Sequence, residues 1–274
     1  MTKTIAVHGA TGAQGAPVAA HLTAAGYDVR PLSRATGANL FDRSSLEAAY
    51  AGVDAVVLQL PLIYDERALV LADNAARAAE SAGVEHLVIN ASTTLPPEPI
   101  GVPFLDARHR AAAAAVARVT MLQPTLYLEN ILGAWSLGRD GVIAYPIPGD
   151  VPVPWVAIAD VAVAVERAIA RRAAGWFALP GAPTTGNDVA RALADATGRP
   201  IVWRAITPDE FAVRARPHLG DHAADETAAV YRRHAGSPPL VPDAAPARDA
   251  LDWTPRDVAA WAAEVSLPPL AAAA

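Results

Sequence analysis

The sequence contains no cysteine, which excludes disulfides, thiolate nucleophiles and cysteine-held metals. Lysine is nearly as scarce: Lys3 is the only one, and all remaining basic side chains are arginine or histidine. Chemistry that needs a lysine deeper in the chain is therefore ruled out. No apolar run reaches the length of a membrane span. No charged-then-apolar leader stands before the first strand-like run, so a soluble, cytoplasmic protein is expected. Positive charge is in deficit as well. A formal charge of −6 argues against a nucleic-acid partner, because phosphate backbones need a basic face. What is present is a chain of 274 residues, 53% hydrophobic and rich in alanine. That is enough for one larger α/β domain, alone or with a small appendage.

The most informative stretch is the first, Thr4-Ile5-Ala6-Val7-His8-Gly9-Ala10-Thr11-Gly12-Ala13-Gln14-Gly15-Ala16. A β-branched apolar run stops at Gly9, and Gly12 and Gly15 follow at three-residue spacing. An alanine-rich helical segment then runs to Gly26. This order of strand, glycine turn and helix opens a dinucleotide-binding βαβ unit. Gly9 allows the tight turn, Gly12 lets a pyrophosphate approach the backbone, and Gly15 lets the helix pack on the strand. The helix N-terminus offers N–H groups and the positive end of its dipole to the phosphates. The spacing is G-x-x-G-x-x-G rather than G-x-G-x-x-G, so its place between strand and helix carries the argument.

The second strand, Tyr27–Leu32, ends at Ser33-Arg34 without the acid that would hold a ribose 2′-hydroxyl. Ser33 and Arg34, with Arg30 as a further candidate, favour a 2′-phosphate and hence NADP(H) over NAD(H). A helix capped by Ser44 is expected to Tyr50, and strands over Asp54–Leu60 and Glu85–Ser92 flank a helix over Glu66–Ala82 that stops at Gly83. Thr93–Pro103 is too proline-rich for helix or inner strand and is a candidate substrate lid. Phe104–Ala117 reads as a helix and Val119–Leu122 as a strand. Gly138–Pro154 reads as turns, Ile158–Ala173 as helix, Trp176–Leu179 as strand and Asn187–Thr197 as helix. Ile201–Ala205 then reads as strand, with helices starting at Pro208 and Asp221, a proline-rich turn, a last helix over Pro255–Val265 and a frayed end at Ala271–Ala274. Alternating strands and helices at this spacing give a Rossmann-type, doubly wound α/β fold with a parallel sheet. The expected division is a nucleotide-binding domain over 1–133, completed by 156–180. A smaller, mixed, substrate-binding portion would cover 134–155 and 181–270.

With those residues in place, the chain resembles the NmrA-like branch of the atypical short-chain dehydrogenases/reductases. The resemblance rests on Gly-Ala-Thr-Gly-Ala-Gln-Gly (9–15), Val29-Arg30…Ser33-Arg34, Asn39-Leu40-Phe41-Asp42 and Gly52-Val53-Asp54-Ala55-Val56. It continues through Ala82-Gly83-Val84, Gln123-Pro124-Thr125-Leu126-Tyr127-Leu128-Glu129-Asn130, Ile158-Ala159-Asp160-Val161-Ala162 and Ile206-Thr207-Pro208-Asp209-Glu210-Phe211. It implies a pyrophosphate site at Gly9, Thr11, Gly12, Gln14 and Gly15, with Ala13 in the same turn, and a 2′-phosphate site at Arg34. Asn39 and Leu40 would lie against adenine, Leu60, Pro61 and Asn90 along the ribose and nicotinamide, and Pro124 and Tyr127 near the nicotinamide and substrate. The family's usual lysine is replaced by Arg108, which keeps charge and donors but does not release a proton at neutral pH. His109 and Tyr127 are then the candidate proton donors beside Arg108.

The resulting expectation is an NADPH-dependent reductase of a small, aromatic quinone or enone/carbonyl, working as a monomer or homodimer with no membrane partner. The alternative is a non-catalytic NADP(H) sensor, and a third reading is a non-redox enzyme. No metal is expected: His218 and His222 have helical spacing near Asp221 and Asp225, but no H-E-x-x-H is present. Trp135, Trp155 and Trp176 are candidates to wall an aromatic pocket.

Overall fold

The computed structural model describes residues 2–237 and 239–267, so the expected frayed end at Ala271–Ala274 lies outside the described residues. In chain order the elements are β1 (Thr4–His8), α1 (Gly15–Ala24), β2 (Asp28–Leu32), α2 (Arg43–Tyr50), β3 (Ala55–Gln59), α3 (Arg67–Ser81), β4 (His86–Asn90), α4 (Pro103–Ala112) and β5 (Arg118–Pro124). Then come β6 (Val142–Tyr145), β7 (Pro152–Val153), α5 (Ile158–Arg171), β8 (Gly175–Leu179), β9 (Thr184–Thr185), α6 (Gly186–Thr197) and β10 (Val202–Ala205). Helices α7 (Pro208–Leu219), α8 (Asp221–His234), α9 (Ala245–Leu251) and α10 (Val258–Glu264) follow.

The chain divides into two compact units. The first holds residues 1–125, 158–179 and 243–254, and the second holds 126–157, 180–242 and 255–274. This partition leaves 126–133 with the second unit, eight residues earlier than the sequence suggests, and returns 243–254 to the first. The reason for the return is Trp253: its indole is buried and donates to the Asp160 carbonyl of α5 at 2.8 Å.

The first unit is built on a six-stranded parallel sheet in the order β2-β1-β3-β4-β5-β8. The chain steps outward from β1 to β2, then crosses back to β3 on the other side of β1. That reversal opens a crevice at the carboxyl ends of β1 and β3. Helices α1 and α5 pack together on one face, and α2, α3 and α4 pack on the other. Near-continuous apolar strands such as Ala55–Leu58 and Leu87–Ile89 are what a sheet covered on both faces requires.

The second unit contains a parallel pair, β6 with β10, and a short antiparallel pair, β7 with β9. Its core gathers Leu128, Ile131, Ile143, Tyr145, Trp155, Val189, Leu193 and Phe211 with α6, α7, α8 and α10. Tyr145 sits at the centre of an aromatic cluster with Trp155, Trp203, Phe211 and Tyr231. Burial raises the Tyr145 phenol to about 12, and it bonds the Tyr231 hydroxyl at 2.6 Å.

Several boundaries differ from the sequence reading. Asp42, not Ser44, caps α2, its carboxylate accepting the Ser44 and Ser45 amides. The expected helix Phe104–Ala117 stops at Ala112, and Ala115 instead donates its amide to Glu80. Strand β6 lies within the stretch read as turns, and α9 lies in the stretch read as a proline-rich turn. The last helix is only Val258–Glu264, opened by Asp257, whose carboxylate accepts the Ala260 amide.

Candidate functional site

The site is assembled at the carboxyl ends of β1, β2, β3 and β4 in the first unit. Beyond β1 the chain turns at Gly9, with φ +65°, the left-handed region that glycine occupies without strain. The turn is held by Gly9 N–H to Leu32 O at 3.0 Å and Gly12 N–H to Gly9 O at 2.8 Å. Thr11, Gly12 and Ala13 are exposed at its tip. Gly15 is buried against the turn, where a Cβ would stand only 2.1 Å from the Gly9 carbonyl oxygen. Helix α1 starts here with no side chain capping its first turn. No side chain therefore competes with an anion there, although the Ala16 amide is already bonded to Gly12 O at 3.0 Å and Pro17 has no N–H.

Gln14 behaves differently from its expected pyrophosphate role. Its carbonyl oxygen is turned toward β4, accepting from Asn90 Nδ2 at 3.1 Å and Ser92 Oγ at 2.9 Å. Ser92 has φ +59°, unusual for a residue with a side chain, and its amide donates to Asn90 Oδ1 at 3.0 Å. Three side chains thus tie the glycine turn to the end of β4. The sequence puts Asn90–Ser92 at a ligand-facing strand end but assigns Ser92 no role of its own. The cue was the Asn-Ala-Ser order, an Asx turn closing a strand.

At the end of β2, Ser33 caps a short 3-10 turn, Arg34–Thr36, in a capping box with Thr36. Arg34 is exposed, and its guanidinium makes no ion pair or hydrogen bond with any described residue. Arg30 is no companion for it: its guanidinium donates to the Ala49 and Ala51 carbonyls at 2.9 and 2.8 Å, at the end of α2. Asn39 is held by Ser45 through its amide and accepts from the Phe41 amide, and Asn74 fixes the Leu40 carbonyl at 2.9 Å. Below the turn, His8 bonds the Tyr50 hydroxyl at 2.5 Å, and burial lowers the imidazole to about 4. It is a neutral strut.

Leu60 and Pro61 follow β3, and Pro124 ends β5 opposite Leu179. Arg108 lies on α4. It is fully buried, with Nε on Ala91 O at 3.3 Å, Nη1 on Phe104 O at 2.6 Å and Nη2 on Leu60 O at 3.5 Å. In place of the expected ribose contact, the donors that these bonds account for serve backbone carbonyls. His109, the expected proton donor, is the next residue on α4. Its ring packs on Trp176 with centroids 4.9 Å apart, and Trp176 pairs with Met121, three rungs below Pro124. That is roughly 10 Å from the strand ends at a strand's rise. The residue is half-buried, and its Nε2 is buried without a hydrogen-bond partner among the described residues.

Tyr127 belongs to the second unit, where it is buried and bridges to Val156. The three tryptophans do not form one wall. Trp155 is core, Trp135 packs on His218, and Trp176 stacks on His109 in the first unit.

This sheet order, with its crevice at β1 and β3 and a glycine turn leading into an uncapped helix, defines a nucleotide-binding α/β protein of the doubly wound class. The chain belongs to the NmrA-like family, whose pattern matches residues 1–261. Among its relatives, an NAD(P)H azoreductase of Xenophilus azovorans is 28% identical over 67% of this chain, which spans 65% of that protein's length. A (4-alkanoyl-5-oxo-2,5-dihydrofuran-3-yl)methyl phosphate reductase of Streptomyces griseus is 31% identical over 75% of this chain and 78% of its own. The Citrobacter sp. triphenylmethane reductase, solved in complex with NADP(H), shares the fold with a TM-score of 0.68 at 21% identity. That match covers 94% of this chain and 99% of the other. Among the described residues no helix is long and apolar enough to cross a membrane.

Proposed function

We propose that the protein is an NADPH-dependent reductase that delivers hydride to a small aromatic quinone or enone/carbonyl. Oxidoreductase activity is the common feature in the names of the two relatives. The observation that carries the reading is the exposed glycine turn opening into an uncapped helix, with the Arg34 guanidinium at the neighbouring strand end. The turn's backbone and the positive end of α1 would bind the pyrophosphate, and Arg34 would pair with the 2′-phosphate. Asn39 and Leu40 would border the adenine. Leu60, Pro61, Asn90 and Pro124 would line the ribose and nicotinamide side, where water must be kept out.

When bound, the dinucleotide supplies the hydride, so the protein's part is placement and exclusion of solvent. A quinone needs no dedicated acid, because the reduced oxygens can take protons from water. With His109 packed on Trp176 about 10 Å below the strand ends and Arg108 unable to release a proton, quinones fit this chain better than simple ketones.

The test is a titration of the full chain with NADPH and NADH by fluorescence, followed by NADPH oxidation over a panel of quinones, enones and ketones. NADPH is expected to bind more tightly than NADH. Arg34→Ala is expected to reduce that preference by about tenfold or more, as loss of a charge-assisted bond does, while leaving NADH affinity unchanged. Binding without turnover on any acceptor would instead favour the sensor reading.

A further inference from the structure

We propose that Arg108 is a positioning residue that extends the β3–β4 pairing by one rung beyond the end of the sheet. The inference rests on the functional reading above only for what the strand ends hold. The backbone ladder between these strands closes with the Gln59–Asn90 pair. The next two carbonyls, Leu60 O and Ala91 O, are where the chain leaves the sheet for the segments bordering the site. Arg108 takes one with Nη2 and the other with Nε, so a single rigid plane sets their spacing.

The plane is itself held from two sides. Nη1 returns to the carbonyl of Phe104, one turn earlier on α4, and the guanidinium carbon lies 3.8 Å from the centre of the Phe104 ring. The other side of that arrangement is Tyr64, stacked on Phe104 at 5.0 Å and 24°. Tyr64 stands in the segment that joins β3 to α3. Guanidinium, Phe104 and Tyr64 therefore form a column that fixes both the start of that segment and its midpoint. The same group holds Ala91, immediately before left-handed Ser92 and its bond to Gln14. Through Ala91 the column is continuous with the glycine turn.

A lysine cannot replace this group, because a single ammonium does not present two donors in one plane at this separation. Nor does Arg108 act by titrating, since a guanidinium stays charged throughout the working range of a protein. Its role is to hold the frame.

The experiment compares Arg108→Lys, Arg108→Met and Phe104→Leu with the parent chain. Hydrogen exchange of the ligand-free protein is followed over residues 60–66 and 91–102, with β1 and β5 as internal references. NADPH affinity and the pH profile of kcat are measured alongside. Both Arg108 variants are expected to exchange about tenfold faster in the two segments alone, and to bind NADPH about tenfold more weakly, with the pH profile unchanged in shape. Phe104→Leu keeps the charge and is expected to give a smaller rise, about threefold, so it decides the matter if Arg108→Met does not fold. The proposal is overturned if Arg108→Lys matches the parent in exchange and affinity. It is also overturned if the variants melt earlier with unchanged affinity, or if the pH profile loses a limb. If the parent chain binds no nicotinamide dinucleotide, the functional reading fails while the exchange measurement still decides the role of Arg108.

Discussion

At the scale of single residues, the site depends on what a side chain would collide with and where it is tethered. Gly15 illustrates the first. A methyl at this position would press on the Gly9 carbonyl, which is backbone and has no rotamer to yield. Gly15→Ala is therefore expected to distort the turn, lower stability by about 1–3 kcal/mol and weaken NADPH binding at least tenfold, read by thermal melting and fluorescence titration. The glycine pattern was legible because it is local: three residues within seven positions specify turn and approach. The arginines were not. Arg30 and Arg108 look like free cations in the sequence, yet their carbonyl partners lie 19 and 21, or 17 and 48, positions away. Burial of those guanidinium groups is decided by tertiary packing that no spacing rule reports. The packing of His109 was hidden for a related reason, since its partner Trp176 arrives on a strand 67 positions later.

At the scale of elements, the strands of the parallel sheet and the longer helices followed from apolar runs, caps and glycine stops. Gly83 and Gly198 stand at the helix ends where the sequence put them, both with positive φ. What escaped was short and non-local. Strand β6 has four residues between Gly141 and Pro146, and its partner β10 lies 60 positions on. The alanine run after Arg110 favours helix by propensity, yet the chain must leave α4 at Ala112 to enter β5, and topology overrides propensity. Helix α7 offers a clean test of local signals. Thr207 accepts the Glu210 amide while the Glu210 carboxylate accepts the Thr207 amide at 2.7 Å, a reciprocal cap. Thr207→Ala should cost about 1 kcal/mol in denaturant unfolding, with little effect on nucleotide binding.

At the scale of the whole molecule, two buried imidazoles link stability to pH. Burial lowers His8 to about 4, and burial with the nearby charges of Arg118 and Lys3 does the same to His86, whose Nε2 bonds Thr120 Oγ1 at 2.7 Å. In the unfolded chain both would titrate near an ordinary histidine value. Between that value and about 4 the unfolded state holds more protons than the folded one, so stability falls as the pH drops through this window and is unaffected above it. Each imidazole is expected to remove about 2 kcal/mol between pH 7 and pH 5. Denaturant midpoints across that range should show the loss, and His86→Asn should reduce the slope by about half.

The same face of the sheet has a practical side. Lys3, the one side-chain amine, immediately precedes β1, at the opposite end of that strand from Gly9 and its turn. A dye, bead or cross-linker attached through that amine would be anchored at the amino end of β1, roughly 17 Å along the strand from the glycine turn.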